Sequence, residues 1–196
     1  MELKAIEQTR KSGMEEIVGV NKTRSLLNFW QWAYSDLVGN TERGAVAEYL
    51  VALACDIEDR LRIGWDAYDL ELKNEIKIEV KSSAYLQSWK QVNYSKPIFS
   101  IRQTIAWDYV ENVYGTEKKR HADVYVFALL AHKDKDTLNP LDVGQWEFYV
   151  VAARVIELEL MGAKQVSLPR LEKLGAVKCS FEELLENIKL AAPQPH

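Results

Sequence analysis

The chain has 196 residues, 47% hydrophobic and 28% charged, with a formal net charge of −4 and a pI near 5.5. That balance fits a globular protein with a sizeable core and excludes one that coats nucleic acid through a broad basic surface. It leaves room for an enzyme that gathers carboxylates round a cation, because such a site is itself acidic.

No stretch approaches the roughly 20 apolar residues that cross a bilayer, and the first residues lack the apolar centre of a signal peptide. Cys55 and Cys179 are far apart and in no metal-ligand spacing. The expectation is a cytoplasmic protein with no disulfide and no membrane partner.

Residues 1–24 are charged and without a clear period, and are read as an arm or frayed helix. The run SLLNFWQWAYSDLV, residues 25–38, has Leu26, Phe29, Trp30, Ala33 and Leu37 at helical spacing. Gly39-Asn40-Thr41 ends that helix, and Asn40 or Thr41 caps the next one, over 42–54. This second helix is apolar nearly all round, which predicts burial on most sides. Glu48 is the one acid inside its apolar run.

Residues 68–83 read as a β-hairpin, YDLEL and IKIEVKSS joined through residues 73–75. A helix or loop follows over 83–89, and a short strand over 97–101. Residues 102–120 read as irregular, polar and aromatic. The continuous apolar run at 122–131 predicts a central strand covered on both faces. A further strand is expected at 146–152, a helix at 153–161 and a short helix after Pro169. Ser180 and Glu183 form a capping box that opens a last helix. The organisation is one domain over 25–192 with a loose tail at 193–196. The fold class is mixed α/β, with a central sheet flanked by helices.

Glu-x-Lys occurs five times, starting at Glu2, Glu71, Glu75, Glu79 and Glu117. Only the match at Glu79 lies in a β-branched strand, with Ile76, Ile78 and Val80 on one face and Lys77, Glu79 and Lys81 on the other. A three-residue loop sets Leu72 opposite Ile76, Leu70 opposite Ile78 and Glu71 opposite Lys77, because a one-residue slip would flip every side chain. The same register sets Asp69 opposite Glu79. Two like charges facing across strands destabilise the pair, and a divalent cation between them reverses the sign. Oxygen-only ligands suit Mg²⁺ or Mn²⁺.

The order helix-acid, Asp-x9-Glu-x-Lys on a hairpin, then an apolar strand resembles the PD-(D/E)XK, or restriction-endonuclease-like, nuclease superfamily. The blocks NTERGAVAEYL, WDAYDLEL, IEVKSSAYLQSW, ADVYVFALL and QWEFYVV resemble an uncharacterised bacterial branch of it, over roughly residues 30–185. The resemblance implies an αβββαβ core and metal-dependent cleavage of phosphodiester bonds, with DNA as the expected partner in restriction or repair. Asp69, Glu79 and Lys81 match the signature, and Glu48 matches the acid on the preceding helix. Tyr68-Asp69 stands where the signature has Pro-Asp.

In this reading Asp69, Glu79 and Glu48 hold the cation. Lys81 acts on water or phosphate, and Gln87 can bond a phosphate or the attacking water. Ser83, Lys118, Lys119 and Arg120 are candidate nucleic-acid contacts, with Trp107, Tyr109 and Tyr114 as stacking partners. A homodimer is compatible with cutting both strands of a duplex. The blander reading of Asp69, Glu79 and Lys81 is a wet sheet face with cross-strand ion pairs, and that of Glu48 is an acid paired with an Arg or Lys. The alternative function is a non-catalytic nucleic-acid- or protein-binding module that retains the fold.

Overall fold

The structure, a computed structural model, describes residues 5–64, 66–73, 75–108 and 111–193. Asn74 of the expected hairpin loop, Tyr109 of the expected aromatic set and the end of the tail lie outside these residues, as do the first four residues of the arm.

A five-stranded mixed sheet organises the chain. Its strands are β1 (Leu70–Glu71), β2 (Lys77–Ala84), β6 (Val124–Leu130), β7 (Trp146–Ala152) and β9 (Val177–Cys179), side by side in that order. Only β2 and β6 run parallel; the other neighbours are antiparallel. Every residue of β6 is buried, which is why its sequence shows no alternation. Val124, Val126, Ala128 and Leu130 join one core with α2 (Asn40–Ala54) and α5 (Leu184–Ala191). Tyr125, Phe127 and Leu129 join another with α3 (Ala153–Glu159) and α4 (Leu168–Lys173). Helices therefore cover both faces of the sheet.

The parallel step from β2 to β6 needs a long crossover. No helix occurs among the described residues of that crossover. It holds instead β3 (Ile98–Ser100), paired with β8 (Gln165–Ser167), and a separate hairpin of β4 (Thr104–Asp108) and β5 (Val113–Lys119). The αβββαβ order implied by the resemblance is thus not reproduced element by element. The irregular segment expected at 102–120 is also corrected. Nearly every residue of the hairpin is at least partly exposed, so burial imposes no period on its sequence. Trp107 faces Tyr114 across it, ring centroids 6.3 Å apart.

Arg120, at the foot of the hairpin, is not a surface contact. Its side chain is fully buried, Nε donates to Ile101 O at 2.8 Å and Nη2 to Ala163 O at 3.0 Å. Nη1 stands 3.0 Å from the Glu157 carboxylate without hydrogen-bond alignment. The guanidinium satisfies loop carbonyls where the crossover re-enters the sheet.

Two helix expectations shift. The first helix, α1 (Leu26–Ala33), stops earlier than expected and has no buried residue. The second begins at Asn40 with Gly39 before it and no side-chain cap, so neither Asn40 nor Thr41 caps it. Ala47, Leu50 and Val51 of α2 face the sheet, whereas Tyr49 and Leu53 are exposed. Another side borders an open cleft, with Ala45, Tyr49 and Ala52 on the cleft wall.

The end of α2 aims the chain that follows. Asp56 takes a left-handed φ of 55°. Asp56 N donates to Leu53 O and Ile57 N to Ala52 O, which is a Schellman closure with Ile57 buried behind it. An L-residue there costs about 1 kcal/mol that glycine avoids. Asp56→Gly is expected to raise Tm by about 2–4 °C in a thermal melt. Arg120→Ala is expected to cost about 3 kcal/mol in urea unfolding, because it leaves buried carbonyls unpaired.

Candidate active site

The hairpin places the first three residues. Leu70 faces Ile78 and Glu71 faces Lys77, and Leu72 N donates to Ile76 O, the register that apolar matching requires. Beyond Leu70 the register shifts. Asp69 N donates to Ile78 O, the residue that already faces Leu70, so Asp69 does not stand squarely opposite Glu79. Its carboxylate turns onto the next strand instead, and Oδ2 accepts from Val80 N at 2.7 Å.

Lys81 closes the group. Its Nζ lies 2.5 Å from Glu79 Oε1 and 3.7 Å from Asp69 Oδ2, so the two carboxylates share one ammonium. Desolvation, then the charge of Asp69, raise the Glu79 pKa above the usual carboxylate range, and Lys81 only partly opposes them. Burial works to lower the Lys81 pKa, but Asp69, Glu79 and Glu48 outweigh it and hold the ammonium charged.

Glu48 arrives from α2 and takes part in this field, yet both its oxygens are engaged. Arg62 binds them as a fork, Nε to Oε2 and Nη2 to Oε1, the latter at 2.9 Å. The paired-acid reading of Glu48 is therefore the observed one, with the pair standing at the edge of the site. The bond to Glu48 raises the Arg62 pKa, and Asp69 adds to it. Arg62 belongs to the segment after the α2 closure, and lines a cleft of about 610 Å³ with Glu48, Asp69, Arg10, Arg60 and Tyr49. Nothing in the charge pattern of DIEDRLRIG singles Arg62 out among its neighbours.

Two expected contacts are buried. Gln87 is buried; its amide donates to Ala84 O at 3.2 Å and Ser95 Oγ at 3.3 Å, and accepts from Arg43 Nη1 at 3.4 Å. Ser83 is buried on β2. The Gln87 amide is thereby used within the fold. Arg43, which the sequence did not mark, is buried with bonds to Val38 O and Asn40 Oδ1, and burial lowers its pKa. Lys118 and Lys119 are exposed on β5, and Lys119 stands 3.9 Å from Glu117. The Asp108–Val113 end of the hairpin adjoins the cleft wall, since Trp107 shares a second hollow with Leu61 and Ile63, which also line the cleft.

Among the described residues no three histidine, cysteine or carboxylate side chains stand close enough to hold an ion together. The donors that fit are two, Asp69 and Glu79, hard oxygens that share the Lys81 ammonium, with Asp69 on the wall of an open cleft. Two carboxylates completed by water and phosphate are a donor set that Mg²⁺ accepts. Cys55 and Cys179 are buried free thiols, each raised by burial to about 11, and take no part. Among the described residues no helix is long and apolar enough to cross a membrane.

Residues 21–165 match the family model described as Bacteriophage T4 endonuclease IV. The match spans well over half of the chain and includes Glu48, Arg62, Asp69, Glu79 and Lys81. No curated protein matches the chain.

The raised Glu79 pKa has a definite sign for stability. A carboxyl that holds its proton more tightly when folded stabilises fully below the unfolded value, 4.5, and less as pH climbs through the folded one. The Tm of the wild type minus that of Glu79→Gln should therefore fall as pH rises from about 4.5. A difference that grows with pH would contradict the assignment.

Proposed function

This chain belongs to the Bacteriophage T4 endonuclease IV family, and from that footing we propose that it hydrolyses phosphodiester bonds in DNA at Asp69, Glu79 and Lys81, with Mg²⁺ or Mn²⁺ as cofactor. The observation that carries this reading is the shared ammonium: Lys81 Nζ lies between two carboxylates, 2.5 Å from one and 3.7 Å from the other. The finer reading is a restriction-endonuclease-like core. It is supported by Asp-x9-Glu-x-Lys on an antiparallel hairpin whose second strand has a parallel neighbour, although a sheet and hairpin replace the crossover helix.

Bound at Asp69 and Glu79, a divalent cation would supply Lewis acidity at the phosphoryl group. The chain's own residues divide the remaining work. Asp69 is held against β2 by Val80 N, so one of its oxygens keeps a fixed direction. Glu79, poorly solvated, gains most from a neighbouring positive charge. Lys81 carries the wrong charge to be a ligand. Its ammonium can orient the attacking water and meet the negative charge that grows on the phosphoryl oxygens. As the water oxygen bonds to phosphorus it releases a proton to solvent, the P–O ester bond breaks, and the leaving oxygen takes up a proton from solvent. Lys118 and Lys119, on the exposed hairpin, are proposed backbone contacts.

A cleavage panel tests the reading: single-stranded and duplex DNA and RNA, each with Mg²⁺, Mn²⁺ or EDTA. The wild type should cut DNA only with metal. Lys81→Ala should lose on the order of 100- to 1,000-fold in rate, the scale of one lost electrostatic contact in the transition state, while still binding Mn²⁺ in calorimetry. Asp69→Ala and Glu79→Ala should lose metal binding and cleavage together. Lys81→Ala also leaves two mostly buried carboxylates without their cation, at a cost of about 2 kcal/mol, between the exposed and buried limits. Rates should therefore be compared well below its Tm. No cutting of any nucleic acid, with no Mn²⁺ binding, would leave the non-catalytic binding module.

A further inference from the structure

Besides the Lys81 ammonium, the chain carries a second cationic group where the proposed site meets the cleft, the Arg62 guanidinium, and its partner is an acid of the same charge cluster. Glu48 exerts a Coulombic pull on Lys81 and a push on Glu79, so it lies within the field of both. The two members of the Arg62–Glu48 pair differ in environment. The Glu48 side chain is 12% exposed and that of Arg62 is 56% exposed. Arg62 can leave for another anion at little desolvation cost. Glu48 cannot be left alone, because a nearly buried carboxylate beside two others needs a positive partner.

Charge counting gives the same answer. Glu48, Asp69 and Glu79 with Lys81 and Arg62 leave one net negative charge. Withdrawing Arg62 leaves two, which a divalent cation cancels. A phosphodiester offers the same paired oxygens that Arg62 now takes from Glu48. Arg62 lies on the wall of the cleft that borders Asp69, alongside Arg10 and Arg60. Arg10 is paired with the exposed Asp59, and Arg60 donates to Glu71 O at 2.8 Å, so neither stands against an acid of the site.

We propose that Arg62 is a phosphate-binding residue for the substrate backbone, and that its transfer from Glu48 to phosphate uncovers the Glu48 charge, which then favours a cation at Asp69 and Glu79. The inference rests on the metal-dependent nuclease reading above. Substrate and cation then favour each other's binding: phosphate removes the arginine from the acid, and the cation replaces the arginine's charge. Such coupling is reciprocal by linkage. A cation held by Asp69 and Glu79 meets a neutralised Glu48 without DNA and an uncompensated one with it.

The test uses the full chain and two binding measurements that need no turnover. Mn²⁺ is titrated by calorimetry without DNA, and fluorescein-labelled DNA, single-stranded and duplex, is titrated by anisotropy in EDTA. Arg62→Ala should bind Mn²⁺ about tenfold tighter than the wild type and DNA about tenfold weaker. In a Glu48→Gln background the same substitution should still weaken DNA binding but no longer change Mn²⁺ affinity. Circular dichroism and a melt confirm that each variant is folded, and Arg62→Lys, which keeps the charge without the fork, should fall between. Unchanged Mn²⁺ affinity, or unchanged DNA affinity, in a folded Arg62→Ala would overturn the role of Arg62 while leaving a wild type that cuts DNA with its nuclease reading intact. A wild type that neither binds Mn²⁺ nor cuts any nucleic acid overturns both.

Discussion

The hydrogen bond from Val80 N to Asp69 Oδ2 joins the fold to the proposed chemistry. β1 is two residues long, and where its ladder ends a side chain takes over the next donor of β2. A backbone N–H at a strand edge needs a partner, and here the partner is a carboxylate. The bond fixes that carboxylate within reach of Lys81 and forces Glu79 to share an ammonium with it. Lengthening β1 by regular pairing would satisfy Val80 from the main chain and release Asp69. The short strand and its register shift are therefore part of the site, in the way that irregular strand pairing often accompanies function.

The sheet explains why the charges collect where they do. β6 is buried on both faces and flanked by β2 and β7, so the interior offers no position for an acid. β2 has β6 on one side and only the short β1 on the other. Its Glu79 and Lys81 stand with Asp69, which lines the cleft. The Schellman closure at Asp56 then directs residues 57–63 along that edge and brings Arg62 to Glu48. Packing decides the location and backbone conformation decides the approach.

How much of this was legible follows from which residues feel the core. Ile76, Ile78 and Val80 against Lys77, Glu79 and Lys81 show a strand with one dry face, and the register up to Leu70 could be argued from matching alone. The unbroken run of β6 and the acid of α2 were equally plain. The shift at Asp69 was not, because it depends on one side chain replacing one carbonyl. The β4–β5 hairpin was unreadable since its residues bury too little to leave a pattern. Arg120 and Gln87 looked like surface polar groups, and only the closing of the crossover shows that they serve buried carbonyls and hydroxyls. Arg62 is one of several charges in a loop, and its meaning comes from what stands across from it.

The parallel pairing of β2 with β6 also sets an order in time. The β1–β2 hairpin closes over a few residues, whereas Lys77 N finds Asp123 across 46 residues of sequence. Local closure is fast and long-range closure pays more chain entropy. During folding Asp69 and Glu79 are thus neighbours before β6 has docked to dry the site, while water still screens their repulsion. The charges meet in a wet hairpin and are desolvated only when the central strand arrives. The late step therefore carries the electrostatic cost of the site, and substitutions that relieve the repulsion act on the barrier to docking as well as on the finished protein.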